Sequence, residues 1–321
     1  MTRAITTRLT IVAALAGLLA APGLAAAADY KIMAPAAPGG GWDQTARSMQ
    51  TAMQDEKIAG SVQVINVPGA GGTIGLAQFA NQSKGDATSL IVAGYVMVGA
   101  ILTNKSAVTL DAITPIARLT GEYEALVVPA ASPIKTMQDL VDKLKADPGS
   151  VSWAGGSAGG TDHIAAGLIA KAVGVDPTKV NYIAFSGGGE ALAAILGGQV
   201  TVGISGYGEF ESQVQAGALR LIGVTSAEPL PGVDAPTLKQ AGVDVVVQNW
   251  RMVAAAPGIT DEQRAAIVAD VEAMAKSKTW QDTLKTKGWQ DTFLAGPEFE
   301  KQLADDQAAT ATILKDIGLV Q

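Results

Sequence analysis

The sequence predicts an α/β fold of two domains. The chain passes from the first domain into the second and later returns to the first. Short apolar strands alternate with glycine-rich loops and helices, an order that builds a parallel sheet with loops at the carboxyl ends of its strands. This order occurs in two blocks of similar size, and the chain after residue 260 returns to amphipathic helices that can cover the first block. We therefore predict a first domain of residues 29–122 and 250–321 and a second domain of residues 123–249.

Residues 1–28 precede both domains and have the pattern of a secretory signal peptide. Arg3 and Arg8 stand before an apolar run that ends in small residues just ahead of Asp29, and this run is short for a membrane span. The pattern favours cleavage near Asp29 and a mature protein in the periplasm. The alternative is an uncleaved N-terminal anchor. Cleavage removes two arginines and no acid, and so takes the formal charge from −7 to −9.

The first block contains two units of strand, glycine loop and helix. A helix is predicted over residues 42–54 because Ala46, Met49 and Met53 recur on one face. The other predicted elements of this block are strands at 29–34, 61–67 and 88–94, and a glycine loop at 68–75 that leads into a second helix.

The second block begins with a strand near residue 123 that ends at Pro129. A helix follows, with Thr136 as its predicted N-cap and Asp139 at the third helical position. Two further strand–loop–helix units carry glycine loops at 155–160 and 186–189, and more strands are predicted at 219–226 and 243–250. Helices from residue 260 onward complete the chain.

The residue types that the chain lacks exclude several classes of protein. The sequence contains no cysteine and one histidine, so disulfides and a zinc site of clustered His and Cys are excluded. It has no P-loop and no G-x-G-x-x-G fingerprint, which disfavours nucleotide and dinucleotide binding. An acidic chain without a basic stripe does not predict nucleic-acid binding. A hydrolase with paired carboxylates stays open, because any two acids can meet in the fold.

The four glycine loops indicate an anion site. A helix N-terminus has unpaired N–H groups and a partial positive charge, and glycine lets a ligand approach that backbone closely. Because each block carries two such loops, they would converge on one cleft if the blocks face each other. The alternative for any single loop is that its glycines only close a tight turn.

Five segments together resemble the substrate receptors of tripartite tricarboxylate transporters, the Bug receptor family. They are PGGGWDQTAR, NVPGAGGTIG, AGGSAGGTDH, AFSGGGEALAAILGGQV and NWRMVAAAPGIT, they occur in the family's order, and they cover nearly all of the mature chain. The tryptophan in the first loop resembles the tricarboxylate-receptor branch, since this loop usually lacks it in the wider family.

The resemblance implies a two-domain periplasmic binding protein of the Venus-flytrap type, with crossing strands between the domains. It implies a small organic carboxylate as ligand, citrate or another tricarboxylate first, with a C4 dicarboxylate or an aromatic acid as alternatives. It implies the membrane components of the transporter as partners, no cofactor, no catalysis, and a monomer. A sensor with the same pocket and a secreted hydrolase or lyase are the competing functions.

The candidate ligand-binding residues come from the glycine loops and the strand ends. In the family, the two loops of the first domain hold one ligand carboxylate through backbone N–H groups, hydroxyls and water. The candidates are Gly39, Gly40, Gly41, Trp42, Asp43, Gly71, Gly72, Thr73, Tyr95, Ser157, Thr161, His163, Ser186, Gly187, Gly188, Tyr207 and Arg251.

Three of these candidates have strong alternative roles. Asp43 can cap the helix that starts at Trp42, and His163 can be a neutral structural residue. Arg251, where the wider family more often has tyrosine, can hold a distal carboxylate of the ligand in a bidentate pair or form a salt bridge to an acid of the protein.

Overall fold

The computed structural model describes residues 28–185 and 188–321. The predicted signal peptide up to residue 27 and the predicted contacts Ser186 and Gly187 lie outside these described residues. Within them the strands are β1 (Ala28–Ala34), β2 (Ala59–Asn66), β3 (Ser89–Gly94), β4 (Thr114–Pro129), β5 (Ser152–Gly155), β6 (Asn181–Ala184), β7 (Val202–Gly206), β8 (Leu219–Val224), β9 (Gln248–Ala255) and β10 (Gln290–Ala295).

The helices run before, between and after these strands, and most of them follow a strand directly or after a short loop. They are α1 (Gly41–Asp55), α2 (Thr73–Gln82), α3 (Tyr95–Thr103), α4 (Met137–Ala146), α5 (Thr161–Ala172), α6 (Gly188–Leu196), α7 (Tyr207–Gln215), α8 (Asp261–Lys276), α9 (Lys278–Lys287) and α10 (Gly296–Asp316).

Strands from both ends of the chain form the sheet of the first lobe. Its order is β2-β1-β3-β9-β4, with β10 paired to β4. Strand β1 is parallel to β2 and to β3, which confirms the parallel arrangement predicted from the strand–loop–helix order. Strand β9 returns antiparallel to both β3 and β4.

Strand β4 continues from the first lobe into the second. Its first part, from Thr114 to Tyr123, pairs with β9, and its later part, from Glu124 onward, pairs with β7 and β8. In the second lobe β5 is parallel to β6 and β7. The fold is therefore α/β with two lobes joined by a crossing strand. The predicted domain boundary after residue 122 falls inside β4 and stays a prediction.

Each lobe has its own hydrophobic core. The first-lobe core packs α1, α8 and α9 against the sheet and includes the fully buried Trp280 and Phe79. The second-lobe sheet is covered on both faces, by a cluster around Trp153 on one side and a cluster around Phe210 on the other. These cores fix the strand ends whose loops meet between the lobes.

The predicted cap of the fourth helix is confirmed. The Thr136 hydroxyl accepts a hydrogen bond from the Asp139 amide at 3.2 Å, and the Asp139 carboxylate accepts one from the Thr136 amide at 3.0 Å. The described part of the chain has no helix with both the length and the apolar character that crossing a membrane requires.

Candidate functional site

A cavity of about 330 Å³ lies between the two lobes. Loops and helix starts of both lobes form its walls, and the beginning of β9 forms its floor. The lining residues are Pro35, Ala36, Gly40, Gly41, Trp42, Gly69, Ala70, Gly71, Gly72, Val96, Asn104, Gly156, Ser157, Ala158, Gly160, Thr161, Asp162, Ala184, Phe185, Gly188, Ala191, Ser205, Glu209, Phe210, Asn249 and Arg251.

Three helices point uncapped N-termini at this cavity. The N-cap residues of α1, α2 and α5 are Gly40, Gly72 and Gly160, and none of them supplies a side-chain cap. Helices α4, α8 and α9 are capped by side chains of Thr or Ser, while α3, α7 and α10 also begin without a side-chain cap. The first N–H groups of a helix need an acceptor, so glycine-capped ends at the cavity leave donors for a bound anion. At α2 the Gly72 and Thr73 amides already donate to carbonyl oxygens of the preceding turn, so its donors begin after them.

Asp43 holds the first glycine loop through hydrogen bonds on the side away from the cavity. Its buried carboxylate accepts hydrogen bonds from the Gly39 amide at 2.8 Å, from Asn66 at 2.9 Å and from Arg47 at 3.0 Å. Although burial alone would raise the pKa of Asp43, these hydrogen bonds hold it below its usual value. Asp43 does not line the cavity, so its contacts fit the loop-ordering role better than a ligand contact.

Positive φ angles shape the second glycine loop. Gly71 and Gly72 have φ of 61° and 89°, a region that residues with a side chain rarely adopt. A Cβ atom on Gly72 would also lie 2.6 Å from the Trp42 ring. The Thr73 hydroxyl donates to the Ala70 carbonyl at 2.9 Å, so this predicted contact stabilises the loop and does not line the cavity.

The first glycine loop of the second lobe presents hydroxyls and amides to the cavity. Ser157 and Thr161 both line it, and the fully buried Thr161 hydroxyl has no hydrogen-bond partner among the described residues. Asp162 accepts a hydrogen bond from the Gly156 amide at 2.6 Å, which draws the loop onto the start of α5.

Residues 155–159 read Gly-Gly-Ser-Ala-Gly, which matches the Gly-x-Ser-x-Gly pattern of serine hydrolases. A nucleophilic serine needs a base, and His163 is the chain's one histidine. Its Nδ1 accepts from the Gly159 amide at 3.2 Å, and its ring stacks on Tyr182 with centroids 4.1 Å apart. Burial lowers the pKa of His163 to about 4, and the residue does not line the cavity. The surroundings of His163 therefore fit a neutral structural histidine better than a catalytic base.

Arg251 lies at the floor of the cavity in a buried ion pair. Its Nη2 donates to Glu122 on β4, and its guanidinium stacks over Trp289 at 4.9 Å from the ring centroid. The side chain fills the space beside Gly41, where an added Cβ would lie 2.8 Å from the Arg251 Cζ. The Nη1 group is buried and has no hydrogen-bond partner within the described residues.

Acids surround this arginine. Asp162 and Glu209 line the cavity, and Glu122 and Glu124 lie behind them on β4. Burial, more than any charge, raises the pKa of Asp162 to about 6 and that of Glu209 to about 7. The fully buried Glu124 carboxyl group also has its pKa raised well above the usual value by burial, with further increases from the neighbouring acids. A buried carboxyl group with a pKa near neutrality can hold a proton.

The glycines of the second lobe make room for these acids. A Cβ on Gly206 would lie 2.5 Å from the Glu122 carboxyl carbon, and one on Gly188 would lie 2.9 Å from that of Glu209. Gly188 was predicted to contact the ligand, and it does line the cavity. The space beside Gly188, where a side chain would project, is filled by the Glu209 carboxyl group. A sequence pattern alone does not indicate this contact.

The structure brings about half of the predicted site residues to the cavity. Those that line it are Gly40, Gly41, Trp42, Gly71, Gly72, Ser157, Thr161, Gly188 and Arg251. Those that are described but lie outside its lining are Gly39, Asp43, Thr73, Tyr95, His163 and Tyr207.

Tyr95 and Tyr207, predicted as lids or hydroxyl donors, have other surroundings. Tyr95 packs against Trp250 with centroids 6.2 Å apart, and burial raises its pKa. Tyr207 begins α7 and is partly exposed. Neither residue forms part of the cavity wall.

Sequence reasoning missed several polar residues of the wall. Asn104, Ser205, Glu209 and Asn249 line the cavity and were not among the candidates. Glu209 follows a Gly-Tyr-Gly turn at the end of a strand, and this position was the available signal for it. The described residues contain no group of three or more His, Cys, Asp or Glu placed to hold a metal ion.

Two α/β lobes, a crossing strand and a cavity between glycine-capped helices define a two-lobed solute-binding protein. The chain belongs to the tripartite tricarboxylate transporter receptor family, because the model described as tripartite tricarboxylate transporter family receptor matches residues 45–319. The family predicted from the sequence is thereby confirmed, and it is a family of receptors.

Known relatives and structures agree with this membership. The chain is 27% identical over 273 residues to a UPF0065 protein encoded in the gbd 5′ region of Cupriavidus necator, a match that covers 83% of this chain and 80% of that protein. The periplasmic binding protein BugD has the same fold, with a TM-score of 0.81 and 23% identity over 91% of this chain and 98% of BugD. MatC from Rhodopseudomonas palustris, solved with bound malate, aligns with a TM-score of 0.79 and 23% identity over 89% of this chain and 98% of MatC.

Proposed function

We propose that this protein is a periplasmic receptor that binds a small carboxylate between its lobes and delivers it to the membrane components of a tripartite tricarboxylate transporter. The observation that carries the proposal is the convergence of three uncapped helix N-termini, those of α1, α2 and α5, on one cavity. Their N–H groups and helix dipoles together favour an anion at this point.

The size and polarity of the cavity fit a small organic acid. Its volume of about 330 Å³ is at the lower end of the range for small-molecule sites, roughly 300–1,000 Å³. The glycine-capped starts of α1 and α2 would hold one carboxylate, while the start of α5, with the unpaired Thr161 hydroxyl, and the Nη1 of Arg251 would donate to a second acceptor group. This division favours a ligand with at least two carboxyl groups.

Citrate or another tricarboxylate is the first candidate ligand, from the family and the form of the first loop. A C4 dicarboxylate is the second candidate, because the similarly folded MatC was solved with malate. The mature chain would begin near Asp29 in the periplasm and act as a monomer. N-terminal sequencing of protein released by osmotic shock tests the processing, and retention of Met1 would contradict it.

A thermal-shift screen tests the proposed function. The purified mature chain is heated with citrate, tricarballylate, malate, succinate, benzoate and acetate. We expect a concentration-dependent rise in unfolding temperature with at least one di- or tricarboxylate, because a ligand that binds only the folded state stabilises it. Recovery of the unchanged acid, checked by NMR, separates a receptor from a hydrolase or lyase. No shift with any carboxylate would refute the proposal.

A further inference from the structure

We call one part of the cavity lining its distal half, and it carries more acids than cations. It is formed by Thr161, Asp162, Ser205, Glu209, Asn249 and Arg251. Among the described residues that line the cavity, Arg251 is the one cation, and Glu122 already pairs with it. Asp162 and Glu209 feel the charge of the same arginine, but the ion pair of that arginine is with Glu122. A second ionised carboxylate of a ligand would therefore enter a region of like charge, which is unfavourable at short range.

The same region contains donors that need an acceptor. The Nη1 of Arg251 and the hydroxyl of Thr161 are unpaired within the described chain, and the two residues are 3% and 0% exposed. Buried donors without partners are costly, so these two favour a ligand oxygen beside them. The distal half thus presents donors and acceptors side by side. A ligand carboxyl group that shares a proton with the protein satisfies both kinds of group. One of its oxygens accepts from the unpaired donors, and the shared proton links its other oxygen to an acid of the wall.

Glu209 is the acid best placed to share that proton. It lies at the start of α7, and its Oε2 accepts from the Ser205 hydroxyl at 3.1 Å. Packing of its carboxyl group against Gly188 at the start of α6 holds it toward the cavity wall. It also lines a second cavity of about 190 Å³.

The charged groups that face Glu209 come from four other elements. Glu122 on β4 and Asp162 on α5 favour its protonated form, and Arg251 on β9 opposes it. Lys287 at the end of α9 and Glu211 on α7 line the second cavity with it. Burial is the largest cause, and it raises the pKa of Glu209 to about 7.

We propose that the cleft binds its carboxylate together with one proton, which Glu209 shares with a distal carboxyl group of the ligand whose other oxygen accepts from Arg251. The inference rests on the proposed carboxylate-receptor function. The proton comes from solvent or buffer on binding and returns there on release, so no bond of the ligand's carbon skeleton changes.

Calorimetric titration in buffers of different ionisation enthalpy measures the protons taken up. Citrate and malate are titrated into the full mature chain at pH 8 in HEPES and in Tris, because phosphate would compete for an anion site at helix N-termini. Glu209 of the free protein, with its pKa of about 7, is then mostly ionised, so we expect uptake of about 0.9 proton per ligand. The dissociation constant should rise about eightfold from pH 7.5 to 8.5, because binding consumes a proton whose concentration falls as the pH rises.

Glu209→Gln supplies the sharpest variant, because its amide donates a hydrogen bond at every pH. We expect proton uptake at pH 8 to fall to near zero and the affinity to become independent of pH. Glu228→Gln, an exposed change in the same lobe, is the matched control and should keep the wild-type uptake. Circular dichroism confirms that each variant is folded.

The possible outcomes separate this inference from the proposed function. No binding of any di- or tricarboxylate between pH 6 and 8.5 would refute both. Binding by the wild type without proton uptake at pH 8 would overturn the inference alone. Uptake that persists in Glu209→Gln, or complete loss of binding by that folded variant at all pH values, would overturn the role of Glu209.

Discussion

Arg251 on β9 and Glu122 on β4 form an ion pair between crossing strands, with 3% and 7% of their side-chain surfaces exposed. The pair lies at the floor of the cavity, against Gly41 of the first loop and Gly206 of the second lobe. The pair therefore contacts both the binding loops and the strands that connect the lobes. Sequence reasoning left open whether Arg251 binds the ligand or an acid of the protein, and the structure shows the second while leaving Nη1 free.

Removing one partner of this pair should destabilise the fold strongly. Arg251→Met leaves the Glu122 carboxylate buried without its cation, which typically costs about 3–5 kcal/mol. Adding Glu122→Gln to that variant should recover about 1–3 kcal/mol, because the uncompensated charge is gone. Urea unfolding of the wild type, both single variants and the double variant measures this coupling. Simply additive losses would show that the two side chains act independently.

The same double variant tests which ligand group Arg251 contacts. We expect Arg251→Met with Glu122→Gln to weaken citrate binding by about 1.5–3 kcal/mol, roughly 10- to 150-fold, through loss of a charged hydrogen bond. Acetate, which needs only the glycine-capped helix ends, should be affected far less. Glu122→Gln alone keeps the arginine and should retain citrate affinity. Equal losses for citrate and acetate would make Arg251 a structural residue.

Gly72 is a poor place to block the site, although it lies in a predicted anchoring loop. Its φ of 89° and its packing against Trp42 mean that a side chain there strains the backbone and displaces the ring. We expect Gly72→Val to destabilise the protein by about 2–4 kcal/mol, as overpacking combined with an unfavourable φ does. Chemical denaturation checks this. A fully stable Gly72→Val protein would contradict the loop conformation described above.

The free energy of unfolding should depend on pH through the buried carboxyl groups whose pKa is raised. Asp162 and Glu209 have folded pKa values of about 6 and 7, above the unfolded range near 4, so the folded state holds more protons between these values. Their contribution is fully present below pH 4 and is lost as pH rises through 6 to 7. The ligand-free protein should lose about 1–3 kcal/mol per group across this window.

Urea midpoints at pH 5 and pH 8 test this dependence. Glu209→Gln removes one of the two groups and should flatten the pH dependence, while Glu228→Gln should not. A stability that rises from pH 5 to pH 8 in the wild type, with no change of slope in Glu209→Gln, would contradict the assignment of Glu209 as a buried protonated acid.

Local features of the sequence predicted the parallel strands and the glycine loops before α1, α2 and α5 correctly, whereas the predicted loop at 186–189 is helical from Gly188 and its first two residues lie outside the described residues. Each strand–loop–helix unit is contiguous, so its pattern is visible in a short window. Helices α3, α7 and α9 and strand β10 were not predicted. The sequence of α3, YVMVGAILT, is apolar on every side and therefore lacks helical periodicity. Strand β10 is only partly buried and pairs with β4, a strand far away in the chain.

Charged residues within β4 are the reason that neither the first half of this strand nor its acids near the site were predicted. Arg118, Glu122 and Glu124 interrupt the apolar pattern, so the first half of β4 did not read as a buried strand. Their partners are distant in sequence: Arg118 donates to Gln248, and Glu122 accepts from Arg251. Such pairs depend on how the lobes assemble, which a single sequence does not reveal. The predicted strand at 243–250 was also shifted, because β9 begins at Gln248 and extends to Ala255.

Gly40 offers a cleaner way to block the anion site than Gly72. It caps α1 with φ of −73° and ψ of 168°, angles that a β-branched residue accepts, and an added Cβ would meet only the Ala37 carbonyl oxygen at 3.5 Å and the Ala36 Cβ at 4.0 Å. Its backbone lines the cavity. Gly149→Val, on an exposed turn of the second lobe, is a matched control.

Isothermal titration of citrate and malate into the wild type, Gly40→Val and Gly149→Val tests carboxylate binding at the helix N-termini most directly. We predict one ligand per chain with a dissociation constant in the micromolar range or below, about −8 kcal/mol or stronger, for the wild type and for Gly149→Val. Gly40→Val should lose at least about 100-fold, or about 2.7 kcal/mol, while its unfolding midpoint stays close to that of the wild type. Undiminished binding by a folded Gly40→Val protein, or no binding by the wild type, would contradict the proposed site.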